Sequence, residues 1–198
     1  MFTDWLRKVF GGMLGAMGKG LVRLGIGANL LTLIGCLLNI GAALIIARGH
    51  LRWGGVALLF ASAFDALDGT VARASGGSTR FGAFWDSFLD RISEASVLLG
   101  LAWFYMVQGA HTEVLLAYVA IVGSLLVSYA RARAEALGIE CKVGLLTRVE
   151  RCGLIILGLI TRLTAPLLWI LAIGAPLTAF HRAWHVYRQA KDQPADAT

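Results

Sequence analysis

The sequence predicts an all-α integral membrane protein, with six transmembrane helices behind an N-terminal juxtamembrane amphipathic helix. Three observations predict it. The 198 residues are 58% hydrophobic and only 15% charged, with a mean hydropathy of +0.72, more apolar surface than a soluble domain of this size can hide. The apolar residues fall into six stretches of roughly 20 residues, the length that crosses about 30 Å of hydrocarbon. The basic residues divide unevenly between the two ends of those stretches.

Taken in chain order, the opening "MFTDWLRKVFGGMLGAMGKG" is too broken by Gly and Lys to give the clean apolar run of a secretory signal. It suits a helix lying on the membrane surface within residues 1–24. Trp5, Phe10 and Met13 would then face lipid, and Arg7, Lys8 and Lys19 the headgroups. The spans follow at residues 28–48, 53–74, 82–108, 113–136, 148–163 and 165–188. The fifth is short and is followed closely by Pro166. The connections are short, so residues 25–190 read as one membrane domain, and 191–198 as a polar C-terminal tail.

With both termini cytoplasmic, 15 of the 18 Lys and Arg residues fall on the cytoplasmic side; only Arg48, Arg52 and Arg162 fall on the other. This places a multi-pass protein in the cell membrane with its basic face towards the cytosol. The net charge of +6 suits anionic lipid headgroups and, being distributed by topology, argues against nucleic acid as a partner. Cys36, Cys141 and Cys152 are odd in number, lie in or beside apolar runs, and read as small packing residues rather than disulfides or zinc ligands.

The stretch "DALDGTVARASGGSTRFGAFWDSFLD" breaks the apolar pattern. A carboxylate near hydrocarbon costs several kcal/mol unless paired or bound to a cation, and here there are four. Asp65 and Asp68 are three apart, and Asp86 and Asp90 four apart, so each pair shares one helix face. The turn-rich link "ASGGSTRFG" can reverse the chain and bring the two faces together at the membrane–cytosol boundary. All-oxygen ligands with no His or Cys nearby favour a hard divalent ion, Mg²⁺ or Mn²⁺, with Ca²⁺ as the alternative. Four carboxylates are enough for two ions, an arrangement suited to displacement at phosphorus. Gly69 allows a ligand close to the backbone, Ala72 and Gly82 keep the facing helices slim, and Arg73 stands one turn beyond Gly69. Taken singly, a DxxD is more often a solvated helix end and a membrane glycine usually packing. The combination at this depth points to a site.

The stretch resembles the signature of the CDP-alcohol phosphotransferase family, D-x2-D-G-x2-A-R-x8-G-x3-D-x3-D. It is met at Asp65, Asp68, Gly69, Ala72, Arg73, Gly82, Asp86 and Asp90. The resemblance implies a membrane enzyme of phospholipid biosynthesis that binds CDP-diacylglycerol and passes its phosphatidyl group to an alcohol, releasing CMP. It implies that Asp65, Asp68, Asp86 and Asp90 hold two Mg²⁺ or Mn²⁺ ions, with Asp90 also the general base. It carries contacts to the CDP-lipid onto Asn29, Leu30, Leu31 and Thr32, and onto Gly69, Arg73 and Thr79. Similar proteins are homodimers.

The acceptor is addressed by the second half of the chain. "SYARARAE" and "RVER" are most similar to the phosphatidylinositol phosphate synthase branch, which uses inositol phosphate, although Arg131 stands where lysine is usual and Val149 where proline is usual. The matching acceptor-binding positions are Ser128, Arg131, Arg148, Arg151 and Arg182, a set of arginines suited to a phosphate monoester. A phosphatidylglycerophosphate synthase using glycerol 3-phosphate is the alternative within the family. An ether lipid in place of the diacyl donor also stays open. A cation transporter is the alternative outside the family, but it would need acids near the midplane rather than at one interface. His181 and His185, beside Trp184 and Tyr187, read as an interfacial aromatic belt, and Glu94 as a polar contact between helices.

Overall fold

In a computed structural model of the chain, which describes Gly20, Val22, residues 27–74, Gly77 and residues 79–191, the described residues form six α-helices. They are α1 (Ala28–Ala47), α2 (Leu51–Ala74), α3 (Arg80–Val107), α4 (His111–Ala136), α5 (Arg148–Thr161) and α6 (Thr164–Ala190). Their bounds follow the apolar stretches of the sequence to within about two residues. The expected surface helix over 1–24 lies outside the described residues apart from Gly20 and Val22, as does the tail apart from Lys191.

Four helices are long and apolar enough to cross a bilayer: α1, α2, α4 and α6. The other two differ for separate reasons. With 28 residues, α3 has the length, but Arg80, Asp86, Asp90, Arg91 and Glu94 crowd its stretch from Arg80 to Glu94. With only 14 residues, α5 rises about 21 Å at 1.5 Å per residue, less than the hydrocarbon thickness. Large apolar side chains nonetheless stand on the surface, among them Trp53, Phe60, Val107 and Phe180. Water would penalise so many, whereas lipid tails solvate them. This is a multi-pass membrane protein.

The chain divides into two compact units. One comprises the chain up to Ala42 with Val56–Val97: most of α1, most of α2 and the first two-thirds of α3. Its core mixes Leu31, Cys36, Leu58, Ala61, Val71 and Leu89 with the buried polar residues Thr32, Asn39, Asp68 and Ser93. The local polar groups are satisfied in turn: Thr32 Oγ1 donates to the Ala28 carbonyl at 3.0 Å and Asn39 Nδ2 to the Gly35 carbonyl at 2.9 Å. At Gly35 the helices α1 and α2 come close, since a β-carbon there would stand 2.8 Å from Asp65 Oδ1.

The other unit comprises Ala43–Gly55 and everything from Leu98 onward. Small residues let its helices approach. A β-carbon on Gly100 would lie 2.4 Å from the Ala43 carbonyl oxygen, and one on Gly123 would lie 2.7 Å from Pro176 Cδ. The second contact explains how α6 carries a proline in its interior: the ring needs space, and α4 gives it a glycine. Tyr105 Oη and Thr164 Oγ1 are 2.5 Å apart, tying the end of α3 to the start of α6. Gly138, at φ 74, ends α4, and the chain then runs without regular structure to Thr147 before α5 begins.

Candidate active site

The polar residues of the first unit surround a cavity of about 580 Å³. It is lined from α1 by Asn29 and Thr32, from α2 by Asp68, Gly69, Ala72 and Arg73, and from α3 by Gly82, Ala83, Asp86 and Ser87; Gly77 and Thr79 line it from the connection. Of the residues expected from sequence to meet the CDP-lipid, Asn29, Thr32, Gly69, Arg73 and Thr79 all stand on this wall. Leu30 and Leu31 do not; Leu31 is buried in the core and Leu30 is exposed beside it. The helical repeat explains the split, because Asn29 and Thr32 are three apart and share a face that Leu30 and Leu31 leave.

The connection is built around Thr79. Its hydroxyl accepts the backbone N–H of Gly82 at 2.9 Å, and its carbonyl accepts that of Ala83 at 3.0 Å, so Thr79 is the N-cap of α3. Gly82 is held between two polar groups: a β-carbon there would meet Asn29 Oδ1 at 3.0 Å and Thr79 Oγ1 at 3.1 Å. Absence of a side chain at this point keeps the starts of α1 and α3 against one small space. Gly69 is similarly open, with only Arg73 Nη1 near the position of its β-carbon, at 3.4 Å.

Of the four aspartates, Asp68 and Asp86 face the cavity. Asp68 is 6% exposed, and its Oδ2 is buried without a hydrogen-bond partner. The Thr32 side chain and the Gly69 amide lie against its carboxylate, while Asp65 and Asp86 are near enough to repel it. Asp65 stands beside Gly35, and Asp90, one turn beyond Asp86, lies 3.7 Å from Arg91 Nη1. Among the described residues no three His, Cys, Asp or Glu side chains are grouped tightly enough to enclose a metal ion as they stand. The donor set still fits a hard divalent cation. It is all oxygen, it carries excess negative charge, and it leaves a buried carboxylate oxygen that no protein hydrogen satisfies.

In the second unit the five acceptor positions divide by environment. Arg151 and Arg182 are buried, at 1% and 3% exposure, and donate to backbone carbonyls: Arg151 Nη1 to Leu146 at 2.9 Å, Arg182 Nε to Val143 at 2.8 Å and Arg182 Nη1 to Val127 at 2.7 Å. Arg148 and Ser128 are half-buried, and Arg131 is exposed and paired with Glu135 at 2.8 Å. His185 Nε2 meets the Glu140 carbonyl oxygen at 3.2 Å, while Trp184, Tyr187 and Arg188 stack at the end of α6. The sequence reading missed Gly35, whose sign was its spacing of three from Thr32 on one helix face, and Thr178, which had no motif around it.

The chain is similar in sequence and fold to known proteins. A phosphatidylinositol phosphate synthase of Mycobacteroides abscessus is 35% identical over 185 residues, covering 89% of this chain and 84% of its own. An archaetidylinositol phosphate synthase of Methanothermobacter thermautotrophicus is 44% identical over 137 residues, covering 69% of this chain and 67% of its own. The crystal structure of the Mycobacterium tuberculosis phosphatidylinositol phosphate synthase with CDP-DAG bound superposes with a TM-score of 0.85 at 30% identity, covering 93% of this chain and 97% of that one. A second crystal structure of that enzyme holds manganese and citrate, with the same TM-score of 0.85. The CDP-alcohol phosphatidyltransferase family profile itself matches residues 26–180, a range that takes in the aspartate cavity and, in the second unit, Arg131, Arg148 and Arg151. The chain therefore belongs to the CDP-alcohol phosphatidyltransferase family.

Proposed function

We propose that this enzyme transfers the phosphatidyl group of CDP-diacylglycerol to a hydroxyl of inositol phosphate, releasing CMP. The observation that carries the reading is the first unit's cavity. There the carboxylates of Asp68 and Asp86 share one wall with the side chains of Asn29, Thr32, Arg73 and Thr79 and the bare backbone of Gly69 and Gly82. Such a wall suits a nucleoside diphosphate: glycines admit the chain of phosphates and an arginine meets their oxygens. The relatives support the acceptor. Their names share an inositol phosphate product although the lipid part differs between them.

In the reaction the acceptor hydroxyl oxygen forms a bond to the lipid-linked phosphorus. The bond from that phosphorus to the bridging oxygen breaks, and CMP leaves with the electron pair. Asp90 takes the proton that the hydroxyl gives up. Asp65, Asp68, Asp86 and Asp90 would hold two divalent ions, Mg²⁺ replaceable by Mn²⁺, which would supply positive charge against the diphosphate. Asn29, Thr32, Gly69, Arg73 and Thr79 hold the CDP-lipid, without Leu30 and Leu31, which face away from the cavity. Ser128, Arg131, Arg148, Arg151 and Arg182 serve the phosphate of the acceptor.

The remaining architecture is part of the same proposal. All six helices of the 25–190 domain serve as spans, the short α5 and charged α3 included. The termini and the aspartates face the cytosol, where both water-soluble substrates are found, and the enzyme works as a homodimer. Purified enzyme supplied with CDP-diacylglycerol or its ether counterpart, and in parallel with inositol phosphate, glycerol 3-phosphate, serine or free inositol, tests the reading. Release of CMP with inositol phosphate alone supports it. Release with glycerol 3-phosphate alone replaces the acceptor, and cation flux without CMP release would sink the enzyme reading.

A further inference from the structure

Residues 139–147, which join α4 to α5, have no regular structure, so their backbone groups need partners from elsewhere. One face of α6 supplies them. Gly174, Thr178, Arg182 and His185 recur at spacings of four, four and three, and they meet the strap in reverse order along it. A β-carbon on Gly174 would lie 2.4 Å from Leu146 Cδ1. Thr178 Oγ1 accepts the Leu146 N–H at 3.3 Å and donates to the Gly174 carbonyl at 2.7 Å. Arg182 Nε donates to the Val143 carbonyl, and His185 Nε2 meets that of Glu140 at 3.2 Å.

Gly144 is the point of closest contact. Its φ of 130 suits glycine alone, and a β-carbon there would stand 2.6 Å from Thr178 Cγ2. Thr178 is 2% exposed, so its hydroxyl bonds are made away from solvent. The strap ends at Thr147, the N-cap of α5, and Arg148 is the first residue of that helix. Arg151, one turn on, reaches back to the Leu146 carbonyl at 2.9 Å and closes the tether.

We infer that Thr178 and Gly144 are positioning residues for the acceptor: by fixing the backbone of residues 143–146 they set where the first turn of α5 presents Arg148. The inference rests on the proposed role of Arg148 at the acceptor's phosphate. Neither residue touches substrate in this account; both act through the strap.

The test compares Thr178→Val, which keeps the shape and loses the hydroxyl, with Thr178→Ser, which keeps the hydroxyl. Gly144→Ala serves as a second disruption. Two quantities are measured on the full-length enzyme in nanodiscs: amide hydrogen exchange over residues 139–147, and KM for each substrate. Thr178→Val is expected to speed exchange in the strap and to raise the acceptor KM about three- to tenfold, the cost of one hydrogen bond. The KM for CDP-diacylglycerol and exchange over residues 80–92 stay at wild-type values, and Thr178→Ser stays within about twofold for both substrates. Unchanged exchange overturns the tether. Faster exchange with an unchanged acceptor KM, or with both KM values raised alike, overturns the positioning role. Wild-type turnover of another phosphorylated alcohol instead of inositol phosphate refutes the proposed acceptor, and the strap is then judged by the KM for that alcohol.

Discussion

Gly35 of α1 lies so close to Asp65 of α2 that a β-carbon on it would stand 2.8 Å from the carboxylate oxygen Oδ1. The contact fixes how near the two helices run beside the carboxylates of Asp65 and Asp68. Gly35→Ala should therefore displace Asp65 and lower kcat about ten- to hundredfold, the scale of a misplaced catalytic group. Gly41→Ala on the same helix meets nothing within 4 Å and should leave activity unchanged. Equal effects of the two substitutions would show that α1 tolerates no β-carbon for reasons unrelated to Asp65.

Asp68, whose buried Oδ2 has no hydrogen-bond partner, is the test of the proposed metal dependence. Excess chelator should abolish CMP release, and Mg²⁺ or Mn²⁺ should restore it. Asp68→Asn should remain folded, with Tm near or above that of the wild-type enzyme measured in chelator, because it removes one of three mutually repelling charges. Its turnover should nonetheless be lost. Full turnover in chelator would remove metal from the mechanism.

Asp90 separates the roles of base and ligand. Asp90→Asn should keep CDP-lipid affinity within a few-fold and lose at least about a hundredfold in kcat, within the range for a general base. Isothermal titration with CDP-lipid beside single-turnover kinetics distinguishes the cases. Weakened nucleotide binding with normal single-turnover rates would make Asp90 a ligand only.

The arginines of the second unit should respond differently from one another. Arg148→Ala should raise the acceptor KM about ten- to hundredfold with little change in Tm, since a charge-assisted contact to phosphate contributes about 1.5–3 kcal/mol. Arg182→Ala strands the carbonyl of Val143, which costs about 1–3 kcal/mol when left without a partner, and removes a second bond to the helical carbonyl of Val127, so a marked fall in Tm should accompany its loss of activity. Arg182→Lys keeps the charge but cannot span both carbonyls and should recover only part of that Tm. Thermal unfolding and steady-state kinetics on the three variants provide the comparison.

Thr79→Ala removes the N-cap of α3 and should cost about 1 kcal/mol of stability, whereas Thr79→Ser retains the bond to Gly82. Because Thr79 also lines the cavity, the alanine variant should raise the KM for CDP-lipid more than that for the acceptor.

The sequence by itself determined a great deal. Hydrophobic runs located every described helix, because a backbone in lipid has no choice but to close its hydrogen bonds within the segment, and segment length follows from bilayer thickness. The spacing of Asp65, Asp68, Asp86 and Asp90 carried the chemistry, because carboxylates at this depth are too costly to keep without a purpose. The helical repeat was sufficient to put Asn29 and Thr32 on one face, and it would have removed Leu30 and Leu31 from the wall had it been applied there.

Tertiary structure alone decided the rest. That Asp68 and Asp86 line the cavity while Asp65 rests against Gly35 depends on how far each helix is rotated, and one glycine sets that by what it lacks. That Arg182 and Arg151 bond carbonyls of an irregular strap could not be read from a list of arginines, since positive-inside bias places many such residues on the same side for topology alone. Thr178 and Gly144 were invisible for a different reason. Their importance lies in a contact 34 residues apart along the chain, 178 against 144, and sequence periodicity reports only the face a residue occupies, not what is packed against it.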